Sequence, residues 1–286
     1  MQDGDLVGVQ RTLTPVLRAK ALDNRLTDPI LGDEYAELAM RRLDPAYDRR
    51  RFGTSQIGLA AVARAKAHDD WARGFLADHP DAVVLHLGCG LDARVYRIDP
   101  PATVDWYDLD YPSVIALRRE LLPPREHYTL IEPSVTDLTW LEDVPRGRPV
   151  LMIAEGLLPY LTETEIHELL TGVVDAFPSG QIQVDTVSVG AWRTSKWDPV
   201  GRRYNALFRS GFDNPAALAD WHPRASCGSG SDSDFGLGVG SRRLDAGRRL
   251  GGRRSRHAHA QRPLASRRRH RPPARALLRS AGARCE

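Results

Sequence analysis

The stretch Val83-Val84-Leu85-His86-Leu87-Gly88-Cys89-Gly90-Leu91-Asp92-Ala93-Arg94-Val95-Tyr96-Arg97 most constrains what this chain can become. Its apolar, β-branched start reads as a buried strand. It stops at Gly-x-Gly, where the backbone must turn tightly and where a missing Cβ leaves room for a ligand. About twenty residues after Gly88, a second strand-like run, Val104-Asp105-Trp106-Tyr107, ends in the acids Asp108 and Asp110. A glycine turn after one strand and a carboxylate after the next is how doubly wound folds hold a nucleoside. The glycines admit the ligand, and the carboxylate accepts hydrogen bonds from ribose hydroxyls.

The alternation continues from there. Pro112 to Leu122 reads as a helix, Tyr128-Thr129-Leu130-Ile131 as a third strand, and Pro149 to Ala154 as a fourth. The fourth is an almost unbroken apolar run, as expected when both faces of a strand are covered. Thr162-Glu163-Thr164-Glu165 has capping-box spacing. Behind it Ile166, Leu169, Leu170, Val173, Val174 and Phe177 recur at helical intervals. Gln181 to Val187 reads as the fifth strand. Strands alternating with helices imply a parallel sheet with ligands at the strand carboxyl ends. Residues 1–78 read as a helical segment, broken at Asp28-Pro29 and Asp44-Pro45, because the residue before proline avoids the helical region.

Composition narrows the function classes. The length of 286 residues and the hydrophobic content of 42% suit one large α/β domain with an appendage. The polar, acidic start and the lack of a long apolar run point to a cytoplasmic protein with no membrane partner. Three distant cysteines, Cys89, Cys227 and Cys285, suggest neither a disulfide framework nor a zinc site, so no metal is expected.

Three motifs carry a resemblance: Leu87 to Arg97, Trp106-Tyr107-Asp108-Leu109-Asp110-Tyr111-Pro112, and Ala154-Glu155-Gly156-Leu157-Leu158-Pro159-Tyr160-Leu161. Together they resemble the leucine carboxyl methyltransferase-like family, and within it the tetracenomycin-type polyketide O-methyltransferases. The resemblance runs from about Gln10 to His222. It implies a class I methyltransferase (Rossmann-like) doubly wound α/β sheet with an N-terminal helical segment, and S-adenosyl-L-methionine as cofactor. It also implies roles. Gly88 and Gly90 would line the methionine end of the cofactor. Asp110, with Asp108 nearby, would hold the ribose, and Ser134 and Val135 match the adenine-contacting pair. Ser134 stands where relatives often carry Asp, and Asp137 is a possible substitute. Glu155 would close the fourth strand under the cofactor, and Arg64 would pair with the cofactor's carboxylate, a geometry suited to a guanidinium fork. Arg18 and Lys20 are candidates to help. Tyr160 is the candidate substrate contact, beside Pro159 where methionine is usual.

A sulfonium methyl is already activated, so the protein needs chiefly to align the acceptor. A carboxylate is an anion at neutral pH and needs no general base, whereas a phenol with pKa about 10 would benefit from one. No base stands out in the sequence, which favours a carboxylate acceptor on a polyketide-like small molecule. The bland readings are a core role for His86, a small turn residue in Cys89, and packing roles for Trp71, Trp106 and Trp140.

Residues 224–286 differ in kind. They hold sixteen Arg, no Lys and four acidic residues, a balance of +12 in a chain whose net charge is +3, leaving −9 for residues 1–223. Most of this segment is expected to be disordered, with a short helix near Ala274 to Leu278. Clustered arginine could bind nucleic acid, but interleaved aromatics for base stacking are absent. The alternative, and the preferred one, is out-of-frame translation of GC-rich coding DNA. The resemblance fades within residues 219–223, where relatives continue into two more strands. The expected domains are therefore a helical cap over 1–78, a cofactor-binding α/β domain over 79–223, and an Arg-rich tail over 224–286. The final antiparallel hairpin of the sheet would be missing. A non-enzymatic remnant of the family is the other consequence such a tail would allow.

Overall fold

The computed structural model describes residues 13–49, 56–197, 202, 206–227 and 235–242. Three helices come first: α1 (Leu13–Asp23), α2 (Glu34–Leu43) and α3 (Gln56–Asp78). The alternating part follows with β1 (Val83–Leu87), α4 (Arg94–Ile98), β2 (Asp105–Leu109), α5 (Pro112–Leu121), β3 (Tyr128–Ile131), β4 (Val150–Ala154), α6 (Glu163–Ala176), β5 (Gly180–Val187) and α7 (Val189–Ser195). Two strands end the described chain, β6 (Ala225–Cys227) and β7 (Phe235–Arg242). They form one sheet in the order β3-β2-β1-β4-β5-β7-β6, with every pairing parallel.

The period-2 alternation of the strands explains the layers. Val83, Leu85 and Leu87 of β1 and Val150, Met152 and Ala154 of β4 join the core against α6, through Ile166, Leu169 and Val173. Val84, Leu151 and Ile153 face the opposite way, against Ala72 and Leu76 of α3 and Val95 of α4. Each Val, Leu, Ile or Met among them contributes roughly 1.5–3 kcal/mol when fully buried. The capping box at Thr162 and Glu165 starts α6, and Asp33 caps α2 by accepting from the Ala36 N–H at 2.9 Å.

One expectation about the C-terminal part needs correction. The final strand positions are filled, where they were expected to be missing, and β7 runs parallel to β5, unlike the antiparallel hairpin that the resemblance implies for relatives. The sheet also extends past residue 223 into the segment expected to be mostly disordered. The physical reason lies in Phe235-Gly236-Leu237-Gly238. Phe235 and Leu237 are buried on the α6 side, while a Cβ at Gly238 would stand 3.8 Å from the Trp71 ring on the α3 side. Arg224 adds to this by donating to the Val174 and Phe177 carbonyls, both at 2.9 Å, which satisfies acceptors left open at the end of α6. The arginine run at 267–271 and the helix expected near 274–278 lie outside the described residues.

Beneath the carboxyl edge of the sheet sits a buried acid. Asp108 pairs in register with His86 of the neighbouring strand and has no solvent exposure. One oxygen accepts from His86 Nδ1 at 2.9 Å and Trp106 Nε1 at 2.8 Å; the other accepts from Tyr128 Oη at 2.6 Å and from Arg118 Nη2. Arg118 also donates to the Gly90 and Asp92 carbonyls at 2.7 and 2.9 Å, so the same contact fixes the glycine turn. Burial pushes the Asp108 carboxyl up, but Arg118 and then His86 outweigh it and hold it at about 2 against an ordinary 3.8.

Two outcomes follow. Phe235→Ala should destabilise the protein by about 3–5 kcal/mol in urea unfolding if β7 is part of the core, and leave stability unchanged if it is not. The native state holds the Asp108 proton less tightly than the unfolded chain does. Its contribution of about 2 kcal/mol is thus complete above pH 4 and lost as pH falls towards 2. Asp108→Asn should flatten the stability–pH slope in that window and lower stability at neutral pH.

Candidate active site

A cavity of about 460 Å³ opens at the carboxyl ends of β1, β2, β4 and β5, where a parallel sheet places its ligands. Gly88 and Gly90 form its floor with φ of 60° and 54°, in the left-handed region that favours glycine. The floor is tight: a Cβ on Gly90 would lie 2.6 Å from Leu13 Cδ2, and one on Gly88 would lie 3.0 Å from Leu157 Cδ1.

Arg64, Gly88, Gly90, Asp110, Ser134, Val135, Glu155 and Tyr160 all line this one cavity. Asp108 does not. It is spent on Arg118, His86, Trp106 and Tyr128 behind the floor, so its expected place beside a ligand is corrected to a supporting one. Asp110 stands just past the end of β2. Its oxygens accept from the Gly90 N–H at 2.7 Å and the Tyr111 N–H at 2.8 Å. Burial raises its carboxyl pKa, with those two backbone donors opposing. Asp137 is absent from the lining; it caps the 3-10 turn at Leu138–Asp143 by accepting from Thr139. Arg18 reaches Asp44 at 3.7 Å, whereas Lys20 lines the cavity and pairs with Asp92 at 3.0 Å.

The charged side of the cavity rests on a continuous ionic chain. His86 Nε2 lies 3.3 Å from Arg94 Nη1. Arginine can only donate, so in this contact Nε2 accepts, and Nδ1 donates its N–H to Asp108. Arg94 then reaches Asp69 at 2.7 Å and Glu155 through Nη2. Glu155 accepts from Arg64 Nε at 2.9 Å, and Arg64 Nη1 donates to Asp185 at 2.7 Å. Burial works against the Glu155 carboxylate, but Arg64, Lys20 and Arg94 hold it well below the usual range. Asp92 is held down likewise, by Arg97, Lys20 and Arg94 against burial. Burial lifts the Cys89 thiol well above its usual pKa, so this turn residue is no thiolate nucleophile.

Sequence reasoning left out Asp185, which lies inside β5 and so escapes the strand-end rule that found Asp110 and Glu155. It also left out Arg209 and Phe208, which lie in a stretch without periodicity. The other half of the cavity is apolar, with Leu17, Ile57, Leu157, Leu161 and Val187 among its walls. No group of three or more potential metal ligands occurs among the described residues. No helix among them is long and apolar enough to cross a membrane.

These residues fit S-adenosylmethionine. A side-chain-free glycine floor and the Asp110 carboxylate suit the ribose. Arg64 and Lys20 can meet a ligand carboxylate, and Glu155 and Asp185 can meet positive charge.

Residues 12–174 match the leucine carboxyl methyltransferase family. The chain is 46% identical over 213 residues to the tetracenomycin polyketide synthesis O-methyltransferase TcmP of Streptomyces glaucescens, covering 74% of this chain and 78% of that protein. It is 36% identical over 198 residues to the S-adenosyl-L-methionine-dependent methyltransferase dpfgK of Gibberella zeae, covering 63% and 66%. Among solved structures, the mitomycin 7-O-methyltransferase MmcR is alike at 14% identity and a TM-score of 0.40, over 72% of this chain and 67% of that one, too slight a likeness to build on. The chain belongs to the leucine carboxyl methyltransferase family of S-adenosylmethionine-dependent methyltransferases.

Proposed function

We propose that this methyltransferase acts in the cytoplasm on a carboxylate of an aromatic, polyketide-like small molecule. The observation that carries this reading is the state of the cavity's proton acceptors. Among the described lining residues, Glu155 and Asp185 are paired with Arg64, Asp92 with Lys20, and Asp110 with two backbone N–H groups. Both ring nitrogens of His86 are engaged. Glu165 is bound to Thr162 and Arg209. Among the described lining residues, every carboxylate and the one histidine are thus engaged, so none stands free to take a proton from a neutral hydroxyl, and an acceptor carboxylate has none to give up.

S-adenosylmethionine supplies, when bound, a methyl group already activated by its sulfonium. The chain's own task is then binding, alignment and exclusion of water. In this reading Asp110 accepts from the ribose hydroxyls and Ser134 and Val135 border the base. Arg64, aided by Lys20, meets the methionine carboxylate, and Gly88 and Gly90 allow close approach. Tyr160 borders the acceptor, with its ring edge-on to Phe208 at 5.5 Å between centroids. The relative TcmP, named for polyketide synthesis, supports the acceptor class.

A second reading is that the C-terminal segment impairs the activity. The parallel run of β7 favours it, because the family resemblance implied an antiparallel strand there. Cofactor binding without turnover on any aromatic acid would support this second reading.

Asp110→Ala should weaken S-adenosylmethionine binding by roughly 10- to 100-fold in calorimetry, the loss expected for charge-assisted hydrogen bonds. Unchanged affinity would remove the ribose assignment. With an aromatic carboxylic acid as acceptor, the rate should stay flat across neutral to mildly alkaline pH and the product should be an alkali-labile methyl ester. A rate rising about tenfold per pH unit towards pH 10, with an alkali-stable ether product, would point to a phenol instead.

A further inference from the structure

Three cations line the cavity among the described residues: Lys20, Arg64 and Arg209. Lys20 and Arg64 are held by the buried carboxylates Asp92, Glu155 and Asp185. Arg209 differs. It stands at the mouth, its side chain 51% exposed, and its ion-pair partner among the described residues is Glu165 at 3.0 Å. Glu165 does not depend on that pair. It is the third helical residue of α6, and its Oε2 accepts from the Thr162 N–H at 2.7 Å and from Thr162 Oγ1 at 2.9 Å. An incoming anion could therefore take the guanidinium while Glu165 keeps its capping bonds.

The Arg209 backbone is fixed where such an anchor would be useful. Its N–H donates to the Pro159 carbonyl at 2.7 Å, and the buried Ser210 hydroxyl donates to the Leu158 carbonyl at 3.0 Å. Arg209 is thus tied to the turn that carries Tyr160, next to Phe208 whose ring meets Tyr160 edge-on. A cation beside two aromatic rings and an apolar wall matches an aromatic acid.

We infer that Arg209 is the anion anchor for the acceptor: the carboxylate of a flat aromatic acid enters beside Tyr160 and Phe208 and takes the Arg209 guanidinium from Glu165. This rests on the carboxylate reading above and names the residue that selects for it. The exchange swaps one ion pair for another, with no bond made or broken, and a guanidinium fork is suited to both.

The test titrates the full chain, saturated with S-adenosylhomocysteine to prevent turnover, with 2-naphthoate and with 2-naphthol. R209Q should weaken naphthoate binding by roughly tenfold or more. E165Q should tighten it, because Gln preserves the capping box and releases the cation. Naphthol, uncharged, should be indifferent to both changes, as should S-adenosylhomocysteine. Equal naphthoate affinity in wild type and R209Q overturns the anchor while leaving the carboxylate reading in place. A wild-type protein that does not bind naphthoate overturns both.

Discussion

The cavity depends on a chain of buried charged and polar side chains laid across the strand ends. It runs Arg118, Asp108, His86, Arg94, Glu155, Arg64, Asp185, and its anchor points lie on or just past β2, β1, β4 and β5, neighbours in the sheet. The arginines come from α5, α4 and α3, so each link docks a helix onto a strand. Removing one partner from such a buried pair typically costs 3–5 kcal/mol, because the other charge is left uncompensated. The pairs need not add net stability over an apolar core; they fix where each polar group points.

Branches of the same network hold the N-terminal helices over the site. Asp69 of α3 joins Arg94 and Arg97, and Arg97 reaches both Asp92 and Asp33, the residue that caps α2. Lys20 of α1 meets Asp92 at the cavity wall. The roof carrying Leu13 and Arg64 is thereby located by the residues that shape the floor. One end of the cavity is charged and the other apolar, an arrangement that would suit a zwitterionic cofactor at one end and the proposed aromatic acceptor at the other.

Much of this was legible in the sequence, for identifiable reasons. Doubly covered strands read as apolar runs, and β3 spans the four residues the sequence marks. The capping box announced α6. Asp108 and Asp110 were not separable, since both are acids near one strand end. What separates them is register: Asp108 is the last-but-one residue of the ladder opposite His86, beneath α5, while Asp110 falls past the ladder at the cavity. β7 was hidden because its period-2 pattern alternates large residues with glycine inside an arginine-rich segment. Arg209 was hidden because a loop held by backbone contacts to Pro159 leaves no periodic trace.

The most direct test of the central claim is a double-mutant cycle between Asp108→Asn and Glu155→Gln, read as S-adenosylmethionine affinity. Asp108 lies behind the cavity and Glu155 within it, joined through His86 and Arg94. If the ionic chain acts as one unit, the two changes should be non-additive by more than about 0.5 kcal/mol, as members of one network are. Strict additivity, with cofactor affinity indifferent to Asp108→Asn, would contradict it.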